Sequence, residues 1–319
     1  MKTDPITHGL IGASLAVLSG HPVSLNDPVF LSCTLGAMLP DLDIVTHLKG
    51  RLNYLLKHRG ASHSLLALGG MALGLTTVIY SFYPYTSWST LFFWTLVGTL
   101  SHGLMDVLNS YGAELLWPFL KKKLTVDMIM LTDPVVFTLL LTALGFSSLD
   151  PGSGPRFIEL AFAGSALYLG HRELSKLKVR DMVMSAYHIA NKDEVKILPA
   201  MYRPFAWNFL LQQEDLVRFG TIHHKVPRIE RVLPRWNDED PYVTAAMEGN
   251  LAEIFDRFTP YYHIVARAED EECKVEFVDL RYWTKEDFLY TGKVLVTADC
   301  EIAEEKFYMT NRNRILLSY

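Results

Sequence analysis

Two apolar runs, at 64–83 and 88–110, limit what this chain can fold into. Each approaches the length, roughly 20 residues, at which a helix crosses the hydrocarbon core of a bilayer. Shorter apolar stretches lie at about 6–20, 28–46, 128–147 and 157–171. Hydrophobic residues make up 50% of the 319, and the mean hydropathy is +0.14. Those averages hide a division, because residues 1–170 hold only ten Asp or Glu and nine Lys or Arg. The pattern predicts an α-helical integral membrane domain of about four to six segments, followed by a small soluble α+β domain. The boundaries fall at 1–171 for the membrane-embedded domain, 172–190 for a charged juxtamembrane helix, and 191–319 for the soluble domain. The opening of the chain has a weak positive region, and polar Thr7 and His8 start its apolar run. It reads as a retained first segment and not as a cleaved leader.

Basic residues alternate between successive connections. Lys2 precedes the first segment, Lys49, Arg51, Lys57 and Arg59 follow the second, and Lys121, Lys122 and Lys123 follow the fourth. Arg172, Lys176, Lys178 and Arg180 follow the last, whereas 21–27, 84–87 and 148–155 contain no Lys or Arg. Basic connections mark the cytoplasmic side, so both termini and residues 191–319 are expected there, in a multi-pass membrane protein. The net charge of −5 carries no basic footprint for nucleic acid. Cys33, Cys273 and Cys300 are too scattered for a disulfide framework or a zinc knuckle, although one Cys273–Cys300 bridge stays open.

The same topology sorts the unusual polar residues. His8, Asp41, Asp43, His58, His63, His102, Asp106 and Asp133 all fall at helix ends on the basic side, although charge counting made no reference to them. Ionisable groups at membrane segments are costly and point to function. His102 and Asp106 are four residues apart, so a helix puts both on one face, where they can grip one ion or join two helices by a hydrogen bond. Asp41 and Asp43 after Pro40 form a hard-oxygen pair or serve as caps. His58 and His63 flank a glycine, with Ser62 or Ser64 placed to cap the next helix. Arg59 between them offers a fork of donors suited to phosphate, or simply belongs to a solvated basic loop. Asp133 before Pro134 either starts a helix or orients a ligand histidine. Asn109, Ser110, Tyr111 and Gly112 follow Asp106 and could line the same pocket. A His/Asp set of this kind suits Zn²⁺, or Mn²⁺ or Fe²⁺ at higher carboxylate content.

Thr7-His8-Gly9, Leu39-Pro40-Asp41-Leu42-Asp43, His58 through Ser64, and His102-Gly-Leu-Met-Asp106 with Asn109 to Gly112 resemble the membrane-bound predicted metal-dependent hydrolases. That family includes the LexA-regulated inner-membrane proteins of bacteria. The likeness covers about the first 140 residues, through Asp133-Pro134; beyond them it rests on Val278-Asp279-Leu280-Arg281-Tyr282. The order of motifs is also similar to zinc-dependent phospholipase C. That resemblance implies Asp43, His58, His102 and Asp106 around one zinc, with His8 and Asp106 contributing to a second. The histidine-rich motif that continues the pattern in those enzymes is missing here, so one or two ions are expected, not three.

Together these readings predict an integral membrane hydrolase of phosphoester or lipid-linked substrates, acting through metal-activated water at the cytoplasmic leaflet. The expected metal set is His8, Asp43, His58, His102, Asp106 and Asp133; the expected catalytic residues are Asp41, Arg59 and His63. Membrane lipids are the expected partners. The competing reading is a metal-binding membrane protein without catalysis, whose soluble domain recruits a partner. In that domain, alternation predicts strands at Glu194–Leu198, Tyr261–Ala268, Lys274–Leu280 and Lys293–Ala298, with one helix over Asp240–Phe258 and a largely antiparallel sheet. His223-His224 reads as a loop or strand pair.

Overall fold

The computed structural model describes residues 5–42, 59–213, 216–234, 240–269, 272–284, 287–309 and 315–318. The chain divides into two compact units, Met1–Glu173 and Leu174–Tyr319. The first unit is helical. It contains α1 (Pro5–Leu18), α2 (Pro28–Met38), α3 (Leu65–Phe82), α4 (Trp88–Leu108), α5 (Pro134–Leu149) and most of α6 (Gly154–Ala186). Its core gathers Ile11, Ala16 and Val17 of α1, Phe30 and Cys33 of α2, Val136 and Leu140 of α5, and Ile158 and Ala161 of α6.

Among the described residues two helices are long and apolar enough to cross a membrane, α3 and α4. α1, α2 and α5 are apolar but shorter. The segment expected at 157–171 is part of α6, which runs for 33 residues into a charged second half. The four to six crossings expected from the sequence therefore reduce to two helices that meet the length requirement. Large apolar side chains cover outward faces, including Leu66 and Phe82 of α3, Leu141 of α5 and Leu167 of α6. Faces of this kind are costly in water and favourable in lipid.

Among the described residues three α-helices begin in the same way. Asp27, Asp133 and Asp240 each precede a proline at the first helical position, and each carboxylate accepts hydrogen bonds from backbone N–H groups of the opening turn. Proline has no N–H to leave unsatisfied there, and the aspartate answers two of the donors that follow.

The second unit is built from two antiparallel sheets, one of order β1-β2-β3-β4 and one of order β5-β6-β7-β8-β9. The first holds Val195–Pro199, Trp207–Gln212, Leu216–His223 and Val226–Pro234. The second holds Tyr262–Glu269, Glu272–Asp279, Tyr290–Thr297, Ile302–Met309 and Ile315–Ser318. All four strands read from alternation are present within a few residues; β7 alternates buried and half-buried along its whole length. His224 and Lys225 take left-handed backbone conformations and form the two-residue turn between β3 and β4, which accounts for the histidine pair.

The single helix expected over 240–258 is two, α7 (Pro241–Met247) and α8 (Asn250–Phe258). The break lies at Gly249, where a Cβ would collide with the Glu305 carboxylate. Glu305 on β8 accepts from Leu251 N at 2.9 Å and from Asn250 Nδ2 at 3.0 Å. A strand residue thus caps the start of α8, a partner that no local pattern announces. All three cysteines are free thiols, so the bridge left open between Cys273 and Cys300 is absent.

Candidate metal centre

His8 lies in the first turn of α1, and Asp41 in the 3-10 turn at 39–42 that follows α2. His63 ends the short 3-10 helix Ala61–His63 before α3, with Arg59 just ahead of it. His102 and Asp106 share a face near the end of α4. α1, α2 and α4 approach closely because three glycines remove side chains at the crossings: Gly12, Gly98, and Gly36 of α2, where a Cβ would meet the Thr95 carbonyl oxygen of α4. A Cβ on Gly12 or on Gly98 would run into the carbonyl oxygen of Cys33 on α2. Gly12 is four residues after His8 and Gly98 four before His102, so the tight crossing lies one helical turn from each imidazole.

His102 Nδ1 is 2.8 Å from the Ala37 carbonyl. A carbonyl only accepts, so Nδ1 carries the proton and Nε2 of the neutral ring presents its lone pair. Nε2 faces Asp106 Oδ2 at 3.4 Å and Asp41 Oδ1 at 3.8 Å. His63 Nε2 lies 3.5 Å from Asp106 Oδ2, and His8 Nε2 lies 3.5 Å from Asp106 Oδ1. The His8 ring stacks on His102 with centroids 3.8 Å apart. These separations are long for hydrogen bonds. They suit atoms sharing an ion: bonds of about 2.0–2.2 Å to zinc set neighbouring ligand atoms about 3.3–3.8 Å apart at tetrahedral to trigonal angles.

Burial sharpens the point. His8, Asp41, Arg59, His63, His102 and Asp106 are each less than 5% exposed. Neither oxygen of Asp41 has a hydrogen-bond donor among the described residues. Among the described residues two carboxylates face one guanidinium here, so with neutral imidazoles this group keeps a negative charge that a cation would offset. Two overlapping sets have their donor atoms within 4.8 Å of one another, His8–Asp41–His102 and His63–His102–Asp106. The residues present therefore fit a divalent metal.

Arg59 orients the shared carboxylate. Its Nη2 is 2.7 Å from Asp106 Oδ1, and its Nη1 donates to Asn109 Oδ1 at 2.8 Å. Asn109 Oδ1 also accepts from Tyr111 N at 2.8 Å, and the Tyr111 ring lies 5.5 Å beneath the guanidinium. Arg59 holds a left-handed backbone conformation, φ 61°, which non-glycine residues adopt at a cost and which concentrates at functional sites.

Of the residues expected from sequence, the structure brings together His8, Asp41, Arg59, His63, His102 and Asp106. Asp43 and His58 lie outside the described residues. Asp133, expected near the metal, is in neither donor set and has another use: Oδ1 caps α5 through Val135 N and Val136 N, and Oδ2 accepts from the Tyr168 hydroxyl at 2.8 Å. Asp41 and His63, expected as catalytic residues, stand among the candidate ligands. Arg59, expected on a substrate phosphate, is engaged with Asp106 and Asn109. Ser64, not Ser62, caps α3. Sequence reasoning missed the Ala37 carbonyl and the crossing glycines; the spacing of a glycine four residues from each of two histidines is the signal that could have found Gly12 and Gly98.

The model of the YdjM inner membrane protein family matches residues 1–179, more than half of the chain. The chain belongs to the YdjM inner membrane protein family. Outside that YdjM region, residues 241–314 match the YfhP C-terminal alpha/beta plait domain, which begins at α7 and takes in the first four strands of the second sheet. A relative described as an uncharacterized protein, YfhP of Bacillus subtilis (strain 168), is 27% identical over 314 residues, covering 94% of this chain and 93% of its own. No solved structure matches. The YdjM match reaches beyond the roughly 140 residues that carried the resemblance, and the likeness to phospholipase C has no counterpart in these matches.

Proposed function

We propose that this YdjM-family chain is a multi-pass inner-membrane hydrolase of phosphoester or lipid-linked substrates, using a divalent metal held at the cytoplasmic ends of its helices. The reading is carried by one observation: imidazole and carboxylate atoms from α1, the end of α2, the segment before α3, and α4 converge at 3.4–3.8 Å in a buried cluster. His8, Asp41, His63, His102 and Asp106 would hold the ion, with Zn²⁺ first by donor type and Mn²⁺ or Fe²⁺ as alternatives. A metal bound there supplies Lewis acidity toward a phosphoryl oxygen and lowers the pKa of water. The chain's own residues set the stage. Ala37 fixes the His102 tautomer, Arg59 and Asn109 hold Asp106, and Ser62 Oγ, 3.1 Å from His63 Nδ1, orients that ring. Both termini and the second unit would lie in the cytoplasm, as the basic connections require.

The test is metal analysis of detergent-purified protein, followed by turnover assays on phospholipids and isoprenoid phosphates. Stoichiometric metal and a phosphoester product, both lost in His102→Ala, support the reading; full activity in metal-free protein overturns it. The near-complete burial of the site favours a second reading, a coordinatively closed metal with a structural role. Coordination number by X-ray absorption separates the two, since a catalytic ion keeps an open position.

A further inference from the structure

The connection from α4 to α5 closes on itself. Ala113 and Leu124 exchange both backbone hydrogen bonds, at 3.1 and 2.9 Å, so 114–123 form a loop with joined ends. Its base is tied to the metal-site segments: Glu114 N–H donates to the Arg59 carbonyl at 3.1 Å, and Leu65 N–H donates to the Leu115 carbonyl at 3.0 Å. Every residue from 116 to 122 is exposed. The run is Leu116-Trp117-Pro118-Phe119-Leu120-Lys121-Lys122, with Phe119 87% exposed. Lys123 behaves differently: it is buried, with its ammonium 5.8 Å over the Tyr111 ring.

Five successive exposed apolar residues are unfavourable in water. Tryptophan beside lysine is the composition of the bilayer interface, where an amphipathic ring sits at headgroup depth. Exposed ammonium groups add attraction to anionic headgroups. The loop also emerges on the side whose connections carry the basic residues. We propose that residues 116–122 seat in the headgroup layer of an anionic bilayer. The Trp117–Leu120 tip dips below the phosphates, and Lys121 and Lys122 lie among them. Because the base of the loop bonds to Arg59, this seating also holds the metal centre at headgroup depth. The proposal needs the helices to reside in a membrane and does not depend on hydrolysis.

The test uses the full chain with Phe119→Cys in a Cys300→Ser background, the remaining two thiols being buried. The new thiol is labelled with bimane and the protein reconstituted into phosphatidylcholine vesicles with or without phosphatidylglycerol. Lys192→Cys, at an exposed position of the second unit, is the aqueous reference. Brominated lipid should quench the label at 119 roughly threefold more than the label at 192, with the order reversed for iodide. Lys121→Glu with Lys122→Glu should lower the lipid quenching by roughly half in anionic vesicles and leave it unchanged in neutral ones. A label at 119 as open to iodide as the reference overturns the proposal. So does shielding that follows the protein-to-lipid ratio, the signature of a second copy covering the loop. An unaltered signal in the charge-reversed variant overturns the anionic-headgroup assignment.

Discussion

At His102 the two ring nitrogens have separate partners: Nδ1 donates to the Ala37 carbonyl, and Nε2 faces Asp106 and Asp41. One nitrogen is anchored and the other is left for a cation. His102→Ala should therefore reduce bound metal to roughly a tenth or less, measured by plasma emission on purified protein, while the circular dichroism stays that of the folded chain. Asn109 touches none of the candidate ligand atoms; it acts through Arg59. Asn109→Ala should weaken metal binding by about 10–100-fold in competition with a chromophoric chelator, the range typical of outer-shell partners. An unchanged affinity would reduce Asn109 to a turn former. At this scale much was legible. The four-residue spacing of His102 and Asp106 sets them on one helical face wherever that helix lies. Asp133 stayed open between two readings in the sequence because a carboxylate before a helix looks the same whether it caps or orients a ligand; the structure shows the cap. The Asp-Pro pairs at 27–28 and 240–241, both caps, are the internal comparison that separates the two.

The elements explain how distant residues meet. α1, α2 and α4 cross over backbone, with Gly12 and Gly98 against the Cys33 carbonyl. Gly98→Val should force the helices apart, cost about 1–3 kcal/mol of stability, and lower metal content although no ligand is altered. Gly145→Ala is the control, since a Cβ at Gly145 on α5 meets nothing within 4 Å. Asp133→Ala should cost about 1 kcal/mol through the lost cap of α5 and also remove the hydrogen bond from the Tyr168 hydroxyl, without changing metal stoichiometry. Loss of metal in that variant would return Asp133 to the site. Strand positions were readable because a half-buried strand alternates every second residue, as β7 does. The split of the expected 240–258 helix was not, because Glu305, the residue that caps the second piece, lies about fifty positions away.

For the whole molecule, the two units should respond differently to metal. Chelation should lower the unfolding temperature of the helical unit and leave the transition of the sheet unit unmoved in calorimetry. Metal at about a hundredfold its dissociation constant contributes about 2.7 kcal/mol to whichever unit binds it. Acidification should act in the same direction as chelator, since protons compete with metal for the imidazoles. From the sequence alone came the division into a charge-poor helical half and an α+β half, and the sorting of histidines and aspartates to one side. Both follow from composition and period, which act locally. Only the tertiary structure decided which of those residues stand close enough to share an ion, which aspartate is a cap, and that Arg59 pairs with Asp106. Those outcomes depend on how closely separate helices approach, and a backbone contact such as Gly98 on Cys33 leaves no periodic trace in the chain.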